Sequence, residues 1–385
     1  MKIFVLGAGL MGRAVVYDLG RARGVRKITV ADFDRERARE VAAKFGVGKA
    51  RSVFADVRDT HHLARLLSGL DIVVNCTQFN WNLDVMRAAL LAKIDYMDLG
   101  GLYHMTRRQF SLDHDFRRIG KLAVAGMGGA PGVTNVMARA LADDFDRVDA
   151  IRVYNAGVDQ QSYASPIAYT FSIATILDEL TTPPIAFENG RYVEKPILSE
   201  PEEGQFPAPI GKVTLRHSIH SEMGTLPASF RKAGLRQAFF KINYDPKLVS
   251  LVRGLSQTGF TSREPLAVNG TLVAPRSVLL AVLQKNAPKK PARDVEAIRV
   301  VVTGKRGKKR SSAALEMWAE YSARPELSAV ARDTGFPAAI AAVMRCSGEI
   351  PGVGVQAPEH IVPPSAFFSK LRQRGFRFRR WNFRT

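Results

Sequence analysis

Three glycines and one aspartate near the N-terminus have the types and the spacing that hold a dinucleotide. Gly7, Gly9 and Gly12 follow a short apolar run, and Asp32 lies twenty residues after the last of them. In this pattern the first glycine permits a tight turn, the second lets the main chain approach a pyrophosphate, and the third lets a helix pack closely on its strand. The acid accepts hydrogen bonds from ribose hydroxyls. These residues therefore predict a site for a nicotinamide dinucleotide.

The same aspartate bears on the choice between NAD and NADP. Asp32 would repel a 2′-phosphate at close range, which favours NAD as the cofactor. Arg35 and Arg37 follow it closely in the chain and could pair with such a phosphate. NADP therefore stays open as the alternative cofactor.

Two later strand ends are expected at the same edge of the sheet, because ligands collect where parallel strands end. Asp56 and Val57 end one strand, where adenine commonly rests, although Asp56 could equally cap a helix. Asn75, Cys76 and Thr77 end a nearly continuous apolar run and should overlook the nicotinamide. The predicted cofactor-binding residues are Gly7, Gly9, Leu10, Met11, Gly12, Asp32, Asp56, Val57, Asn75, Cys76 and Thr77.

The elements that must position these residues alternate between strand and helix. Apolar runs and amphipathic periodicity predict six strands separated by helices, the last strand ending at Ala125. This alternation is typical of the α/β class, with the doubly wound parallel sheet of a Rossmann domain. Beyond Gly126 the pattern changes, and Asn189-Gly190 and Asn269-Gly270 are hairpin signals. A second domain of α+β type is therefore expected.

We predict three segments. Residues 1–127 form the dinucleotide-binding Rossmann domain, and residues 128–333 form the α+β domain for substrate binding and dimerisation. Residues 334–385 form C-terminal helices that return to the Rossmann domain.

Composition limits the class of protein. The chain has 385 residues, of which 46% are hydrophobic, and this is enough for two domains with cores of their own. It contains no apolar run long enough for a membrane span and no signal peptide, so we expect a cytoplasmic protein without a membrane partner. Its two cysteines, Cys76 and Cys346, predict neither a disulfide framework nor a metal site.

The formal net charge of +20 is the unusual feature of the composition. Basic residues are dense only at Lys289-Lys290, between Lys305 and Arg310, and in the tail from Arg372 to Arg384. The tail interleaves arginines with aromatic residues, a combination that could stack on single-stranded nucleic acid. A basic exterior that attracts an anionic cofactor also explains the charge, so a nucleic-acid partner is the weaker interpretation.

Several segments together resemble one known family. They are Gly7-Ala-Gly9-Leu-Met-Gly12, Asp71-Ile-Val-Val-Asn75-Cys76, Tyr96-Met-Asp98-Leu-Gly100-Gly101, Gly128-Gly-Ala-Pro131-Gly132-Val-Thr134-Asn135, Thr214-Leu-Arg216-His217 and Gly352 to Glu359. Over nearly its full length the chain resembles the saccharopine dehydrogenase-like family, and within it the lysine 6-dehydrogenases. The resemblance implies a second domain built on a mixed sheet, a homodimer and NAD(P)-dependent oxidation of a carbon that bears nitrogen. For the lysine 6-dehydrogenases, that carbon carries the ε-amine of lysine.

Five residues could serve this chemistry on an amino acid substrate. Asp98, at a strand end, could hold or deprotonate the amine, or it could cap a turn. Thr134 and Asn135 open a helix whose N-terminus could bind a carboxylate or polarise water, although capping alone also explains the threonine. Arg216 could grip a substrate carboxylate with both arms of its guanidinium. His217 is the candidate for proton transfer.

Other residues leave alternatives open. Tyr169 could enter the substrate site or belong to the core. If the strand alternation continues, His217 faces away from Arg216 while His220 shares the arginine's side, so both histidines cannot act with it. A saccharopine or carboxynorspermidine dehydrogenase would need more arginines in the pocket, and Arg231 and Arg236 are candidates. A non-catalytic protein that binds nucleotide or nucleic acid is a further alternative, since a fold does not fix a function.

Overall fold

The chain is organised around two sheets, and the computed structural model describes residues 1–162, 171–287 and 292–383. The strands are β1 (Lys2–Leu6), β2 (Lys27–Asp32), β3 (Ala50–Phe54), β4 (Ile72–Asn75), β5 (Asp95–Asp98), β6 (Leu122–Val124), β7 (Arg147–Asp159), β8 (Ile185–Glu188), β9 (Arg191–Glu194), β10 (Glu202–Gln205), β11 (Lys212–His217), β12 (Gln237–Ile242), β13 (Leu266–Val268), β14 (Thr271–Val273), β15 (Asp294–Arg306), β16 (Lys309–Glu320), β17 (Ser322–Ala323), β18 (Glu326–Leu327), β19 (Gly354–Gln356) and β20 (Arg377–Phe383). The helices are α1 (Leu10–Arg21), α2 (Arg35–Phe45), α3 (Thr60–Leu67), α4 (Asn82–Ala92), α5 (Leu102–Gln109), α6 (Asp113–Arg118), α7 (Val133–Ala142), α8 (Ile173–Thr181), α9 (Leu226–Phe230), α10 (Pro246–Gln257), α11 (Pro275–Lys285), α12 (Ala329–Cys346), α13 (Pro358–Ile361) and α14 (Pro364–Arg372).

Seven strands form the first sheet, in the order β19-β6-β5-β4-β1-β2-β3. Each neighbouring pair is parallel. All residues of β4 are buried, because helices cover both faces of a doubly wound sheet. The strand order reverses direction between β1 and β4, and this point creates the crevice in which such sheets bind ligands. The prediction of a doubly wound α/β sheet is confirmed.

The second sheet has nine strands and is mixed. Its main path runs β10-β11-β12-β7-β15-β16-β20, and β8 and β9 branch from β12. β12 pairs with β7 in parallel, whereas β15 is antiparallel to both β7 and β16. This arrangement confirms the prediction of a second α+β domain on a mixed sheet.

Both predicted two-residue turns close hairpins. Asn189 and Gly190 connect β8 to β9 with φ of 49° and 82°. Asn269 and Gly270 connect β13 to β14 with φ of 48° and 79°. Positive φ at both central positions is the reason that the Asn-Gly pair suits this turn.

The chain returns to the first sheet after the second domain is complete. Helix α12 packs along α1, where Gly335 allows close approach because an added Cβ would lie 2.6 Å from Cβ of Ala14. One turn away, the rings of Tyr17 and Phe336 stack with centroids 5.9 Å apart. Strand β19 then pairs with β6 and becomes the last strand of the sheet.

The basic C-terminal segment is an edge strand, whereas the sequence indicated only a charged aromatic tail there. β20 pairs with β16 over seven residues of the second sheet. Phe378 packs against the hydrophobic core on one face of the second sheet. Trp381 packs into a separate hydrophobic cluster on the opposite face, as the alternation of side chains along a strand requires. The arginines between these aromatic residues therefore line an edge of the folded domain.

One hydrophobic core connects the two domains. It includes Val5 of β1, Val15 of α1, Val300 of β15 and Phe336 of α12, all buried. Shared burial of this kind fixes the position of the second sheet relative to the first. Among the described residues, no helix is both long and apolar enough to cross a membrane.

Candidate active site

A cleft of about 1340 Å³ lies between the carboxyl edge of the first sheet and the second domain. One wall comes from the first sheet and its loops: Gly7, Gly9, Leu10, Met11, Asp32, Phe33, Arg37, Asp56, Val57, Arg58, Cys76 and Thr77. The facing wall includes Asn155, Asp159, Glu179, His220, Asn243, Tyr244, Asp245, Lys247, Asp294, Glu296 and Asp333. The first wall thus gathers most of the residues that the sequence predicted for the cofactor.

The glycine-rich turn has the shape that a pyrophosphate requires. Gly7 has a φ of +99°, and an added Cβ would lie 2.8 Å from the main chain of Cys76. An added Cβ at Gly12 would lie 1.9 Å from the carbonyl oxygen of Gly7, so this glycine lets α1 start against the turn rather than lining the cleft. At Gly9 an added Cβ would meet no described atom within 4 Å, which leaves open space above the N-terminus of α1. Peptide N–H groups and the helix dipole favour an anion there, so these residues fit a dinucleotide.

Asp32 anchors the turn as well as facing the ribose position. Its Oδ2 accepts the Ala8 N–H at 2.7 Å, and its Oδ1 accepts the Asp34 N–H at 2.9 Å. Arg37 donates to Oδ1 at 3.2 Å, and 44% of its side chain is exposed. A guanidinium is therefore held beside the position expected for the ribose.

A second arginine lies where adenine is expected. Arg58 forms an ion pair with Asp56 at 2.6 Å, and its hydrogen bonds hold the pKa of that carboxyl below its ordinary value. The guanidinium also lies 5.7 Å from the ring centroid of Phe33. Val57 completes this end of the cleft.

At the end of β4, Cys76 and Thr77 line the cleft while Asn75 lies behind them. Asn75 is buried, and its Oδ1 accepts the Thr77 N–H at 3.1 Å and the Thr77 hydroxyl at 2.7 Å. Its Nδ2 donates to Asn82 at 3.0 Å. Asn75 therefore positions the loop and does not itself border the cleft.

Asp98 also lies behind the wall. Its Oδ1 accepts the N–H groups of Gly100 and Gly126, both at 2.8 Å, and its Oδ2 accepts from Tyr96 at 2.8 Å and Gln109 at 2.5 Å. The side chain is 1% exposed, and burial raises its pKa against these hydrogen bonds. With both oxygens occupied by protein donors, Asp98 joins the loops that follow β5 and β6 and does not face the cleft.

Thr134 and Asn135 belong to a buried polar network under the second domain. The Asn135 side chain accepts the Gly132 N–H at 3.0 Å and donates to Glu359 at 2.9 Å. The Thr134 hydroxyl donates to Glu222 Oε1 at 2.7 Å. Both side chains point into this network, and neither borders the cleft.

Two further residues of the predicted site, His217 and Arg216, do not border the cleft. His217 faces the outer side of the second sheet, where its Nε2 lies 3.1 Å from Glu200 and burial lowers its pKa. Arg216 lies half-buried on β11 opposite Ile242 and does not border the cleft. Tyr169 lies outside the described residues.

His220 borders the cleft instead. It follows β11 and precedes a 3₁₀ turn (Ser221–Gly224), so the strand alternation assumed from the sequence ends before it. Its Nδ1 contacts Glu222 Oε2, and its Nε2 lies 3.8 Å from Glu179 Oε1. Burial alone would lower the pKa of His220, but the negative charges of these two acids outweigh burial and raise it. A histidine held in this way can accept and return a proton.

Glu179, on α8, connects His220 to a tyrosine. Tyr244 donates its hydroxyl hydrogen bond to Glu179 Oε2. Burial raises the pKa of Glu179 to about 7, against the opposing effects of His220 and Tyr244. This carboxyl therefore changes charge near neutral pH, inside the cleft.

Two further acids meet where the domains join. Glu296 of β15 and Asp333 of α12 are hydrogen-bonded to each other, and burial raises the pKa of both. Nearby, Asp294 accepts the N–H groups of Ala329 and Val330 at the start of α12, at 2.6 and 3.1 Å. Burial raises the pKa of Asp294 to about 7.

The sequence did not indicate Glu179, Tyr244, Glu296 or Asp333, and for proton transfer it favoured His217, although it placed His220 on the same side as Arg216. A signal was present for one of them, because Glu296 lies in residues 295–302, where every other residue except Arg299 is apolar. A carboxylate at an inward position of such a strand is costly unless it is paired or functional. The other three lie on elements that come together only in the folded chain.

The whole chain matches known proteins. Residues 3–124 match the family model "Saccharopine dehydrogenase NADP binding domain", and residues 128–376 match "Saccharopine dehydrogenase C-terminal domain". Carboxyaminopropylagmatine dehydrogenase of Synechocystis sp. is 24% identical, covering 97% of this chain and 96% of that protein. Carboxynorspermidine synthase of Vibrio alginolyticus is 26% identical, covering 82% of this chain and 78% of that protein.

A solved structure shares the fold. Apo saccharopine dehydrogenase (L-Glu forming) from Saccharomyces cerevisiae superposes with a TM-score of 0.77 at 15% identity and covers 99% of both chains. At this level of identity the likeness concerns the fold alone.

Proposed function

The chain belongs to the saccharopine dehydrogenase family, and from this premise we propose that it makes or oxidises the secondary amine of a carboxylated polyamine. As a member it is an NAD(P)-dependent oxidoreductase. The substrate class is our inference, and it depends on the charges of the cleft.

The observation that carries the proposal is the acidic wall opposite the cofactor residues. Among the described residues of that wall the carboxyl-bearing side chains are Asp159, Glu179, Asp245, Asp294, Glu296 and Asp333, and the basic ones are Lys247 and His220. Amines of a polyamine are protonated at neutral pH and prefer such a surface. Lys247 is a candidate partner for a single substrate carboxylate.

Two relatives support the same substrate class. The names of the Synechocystis and Vibrio proteins both contain a polyamine that carries a carboxyl group. A substrate of this kind brings several positive charges and one negative charge, which is the charge balance that the acidic wall would complement.

The chain's own residues divide the work as follows. The first wall would hold the dinucleotide through Gly9, the N-terminus of α1 and Asp32. A nicotinamide bound there would supply the hydride transfer to or from the carbon next to the reacting nitrogen. His220 would move the proton of that nitrogen through Nε2, while Glu222 on Nδ1 fixes the ring and stabilises its charged form.

Oxidative deamination of L-lysine at its ε-amine, to 2-aminoadipate 6-semialdehyde, is a second proposal. The same carboxylates could hold the ε-ammonium group, and Lys247 could hold the carboxylate. We place it second because two acidic side chains suffice for the two ammonium groups of lysine, whereas the wall carries six carboxyl groups.

The test is the absorbance of reduced nicotinamide with the full chain. Carboxynorspermidine, carboxyaminopropylagmatine, saccharopine and lysine are each supplied with NAD and with NADP, and NADH or NADPH oxidation is followed in the reverse direction. We expect turnover with a carboxylated polyamine. Turnover with lysine alone, with release of ammonia, would replace the first proposal by the second.

Two smaller proposals accompany this function. We propose that NADP is used at least as well as NAD, since Arg37 and Arg58 lie at the ribose and adenine end. We also propose that the protein is a homodimer, as the resemblance implied, and sedimentation equilibrium would measure its mass.

A further inference from the structure

Glu296 and Asp333 form a carboxyl pair in the wall of the cleft, although they come from different elements. Glu296 lies on β15 of the second sheet and is 7% exposed, and Asp333 lies on α12 and is 2% exposed. The helix that carries Asp333 packs on α1, which begins at the glycine-rich turn. The pair therefore lies between the cofactor half and the substrate half of the molecule.

Each partner has one oxygen that no described donor satisfies. Glu296 Oε2 and Asp333 Oδ2 are fully buried acceptors to which no described N–H or hydroxyl group donates, so a hydrogen bond between the two acids needs a proton on one of them. The other oxygen of Asp333 accepts weakly from Thr334 at 3.3 Å, and Glu296 is hydrogen-bonded to Asn155. Without that proton the two acceptors would be unsatisfied, which costs free energy in a buried position.

The charged groups around the pair do not supply a partner. His220, from the segment after β11, interacts with Glu296 but is already engaged by Glu222. Asp294 adds negative charge from β15, and Arg332 of α12 donates instead to the carbonyl groups of Glu320 and Arg374. The free protein can therefore relieve the repulsion between the two carboxylates only by keeping a proton between them.

We propose that the Glu296–Asp333 pair is the subsite for a protonated amine of the substrate remote from the reacting nitrogen, and that it gives up its shared proton when the amine binds. This inference rests on the proposed function. An ammonium group carries three N–H donors and one positive charge, so it can serve both unsatisfied oxygens and replace the proton that held them together. The balance is simple: one ammonium enters and one proton leaves to solvent.

Calorimetry of amine binding tests this subsite without any turnover. Norspermidine is titrated into the full chain saturated with NADP at pH 7, in buffers that differ in ionisation enthalpy. We expect release of about one proton per amine bound. Asp333→Asn and Glu296→Gln should each weaken norspermidine binding by at least about tenfold and abolish most of the proton release.

The control is Glu326→Gln, which removes one negative charge from the exposed strand β18 and should leave affinity and proton release unchanged. Thermal unfolding and NADP titration verify that each variant is folded. If one of the two pair variants fails to fold, the other still decides the question. Unchanged affinity and proton release in a folded pair variant would overturn the inference, as would absence of norspermidine binding to the wild type.

Failure of this inference is distinguishable from failure of the proposed function. Nicotinamide reduction or oxidation with a carboxylated polyamine can occur even when the pair contributes nothing to binding. In that case the catalytic proposal stands and the subsite alone is withdrawn.

Discussion

The imidazole of His220 lies parallel to the ring of Phe240, with centroids 3.8 Å apart and an interplanar angle of 9°. Glu222 engages one nitrogen of the same ring, and Glu179 lies near the other. The stacking fixes the plane of the imidazole, and the two acids fix its rotation within that plane. A proton donor held this rigidly keeps its alignment with the reacting nitrogen.

Replacing this histidine should therefore affect chemistry and not cofactor binding. We expect His220→Asn to lower kcat by about 10²- to 10⁴-fold, the usual contribution of a positioned acid–base group, with the Kd for NADP unchanged. The pH dependence of kcat should also lose the change that comes from protonation of the His220 imidazole. His217→Asn provides the comparison, because that histidine lies on the outer face of the sheet and its replacement should leave kcat near the wild-type value. The opposite ranking of the two variants would restore the prediction made for His217 from the sequence.

The cofactor preference should depend on Arg37. Arg37→Ala removes the guanidinium beside Asp32, so we expect NADP affinity to fall by about tenfold or more while NAD affinity changes little. Arg35→Ala is a matched control, because the guanidinium carbon of Arg35 lies 4.5 Å from the centroid of the Phe54 ring, over its face. Fluorescence titration measures the Kd for NAD and for NADP in the wild type and in both variants. An equal loss of NAD and NADP affinity in Arg37→Ala would mean that this arginine supports the loop and does not contact a 2′-phosphate.

Asp98 should matter for stability. Asp98→Asn replaces an acceptor oxygen with an amide group that faces existing donors, and we expect a loss of about 1–3 kcal/mol in the free energy of unfolding. Urea unfolding measures it, with Asp115→Asn on the surface of α6 as the control. Unchanged stability together with a large loss of turnover would support the catalytic role that the sequence indicated.

The stability of the free protein should fall as the pH rises toward neutrality. The pKa of Glu179 is raised from 4.5 to about 7, so the folded state binds its proton more tightly than the unfolded chain does. The stability this proton contributes is complete below about pH 4.5 and is lost as the pH rises through about 7, with a slope of at most about 1.4 kcal/mol per pH unit. Glu179→Gln should flatten the decrease of Tm over this range, whereas Glu194→Gln, at an exposed position of β9, should not. Identical slopes for wild type and Glu179→Gln would refute the buried titration.

The fold was predictable because its signals are local. The spacing of Gly7, Gly9 and Gly12 determines a turn within one strand–helix unit, and Asn189-Gly190 specifies a hairpin from two residues. Strand β20 was missed because the alternation of Phe378 and Trp381 is masked by the arginines around them. The residues of β16 with which it pairs lie 59 to 71 residues earlier in the chain.

The site was predictable only on its cofactor side. Nine of the eleven predicted cofactor residues line the cleft, because a short segment after each parallel strand reaches the same edge. The acidic wall depends on five separate places in the chain, β7, α8, the start of α10, β15 and α12, which come together only in the folded protein. For Asp98 and Asn135 the residue types were suitable for catalysis, but their hydrogen-bonding capacity is used by neighbouring loops, which the sequence does not reveal.

The late position of β19 has a consequence for synthesis on the ribosome. The first sheet begins at Lys2, yet its last strand ends at Gln356 of a chain of 385 residues. Until then the nascent chain presents an unpaired edge at β6, together with the apolar face of α1 that α12 later covers. We therefore expect the first sheet to be completed only after the second domain has been synthesised, and its unpaired edge to depend on a chaperone in the interval.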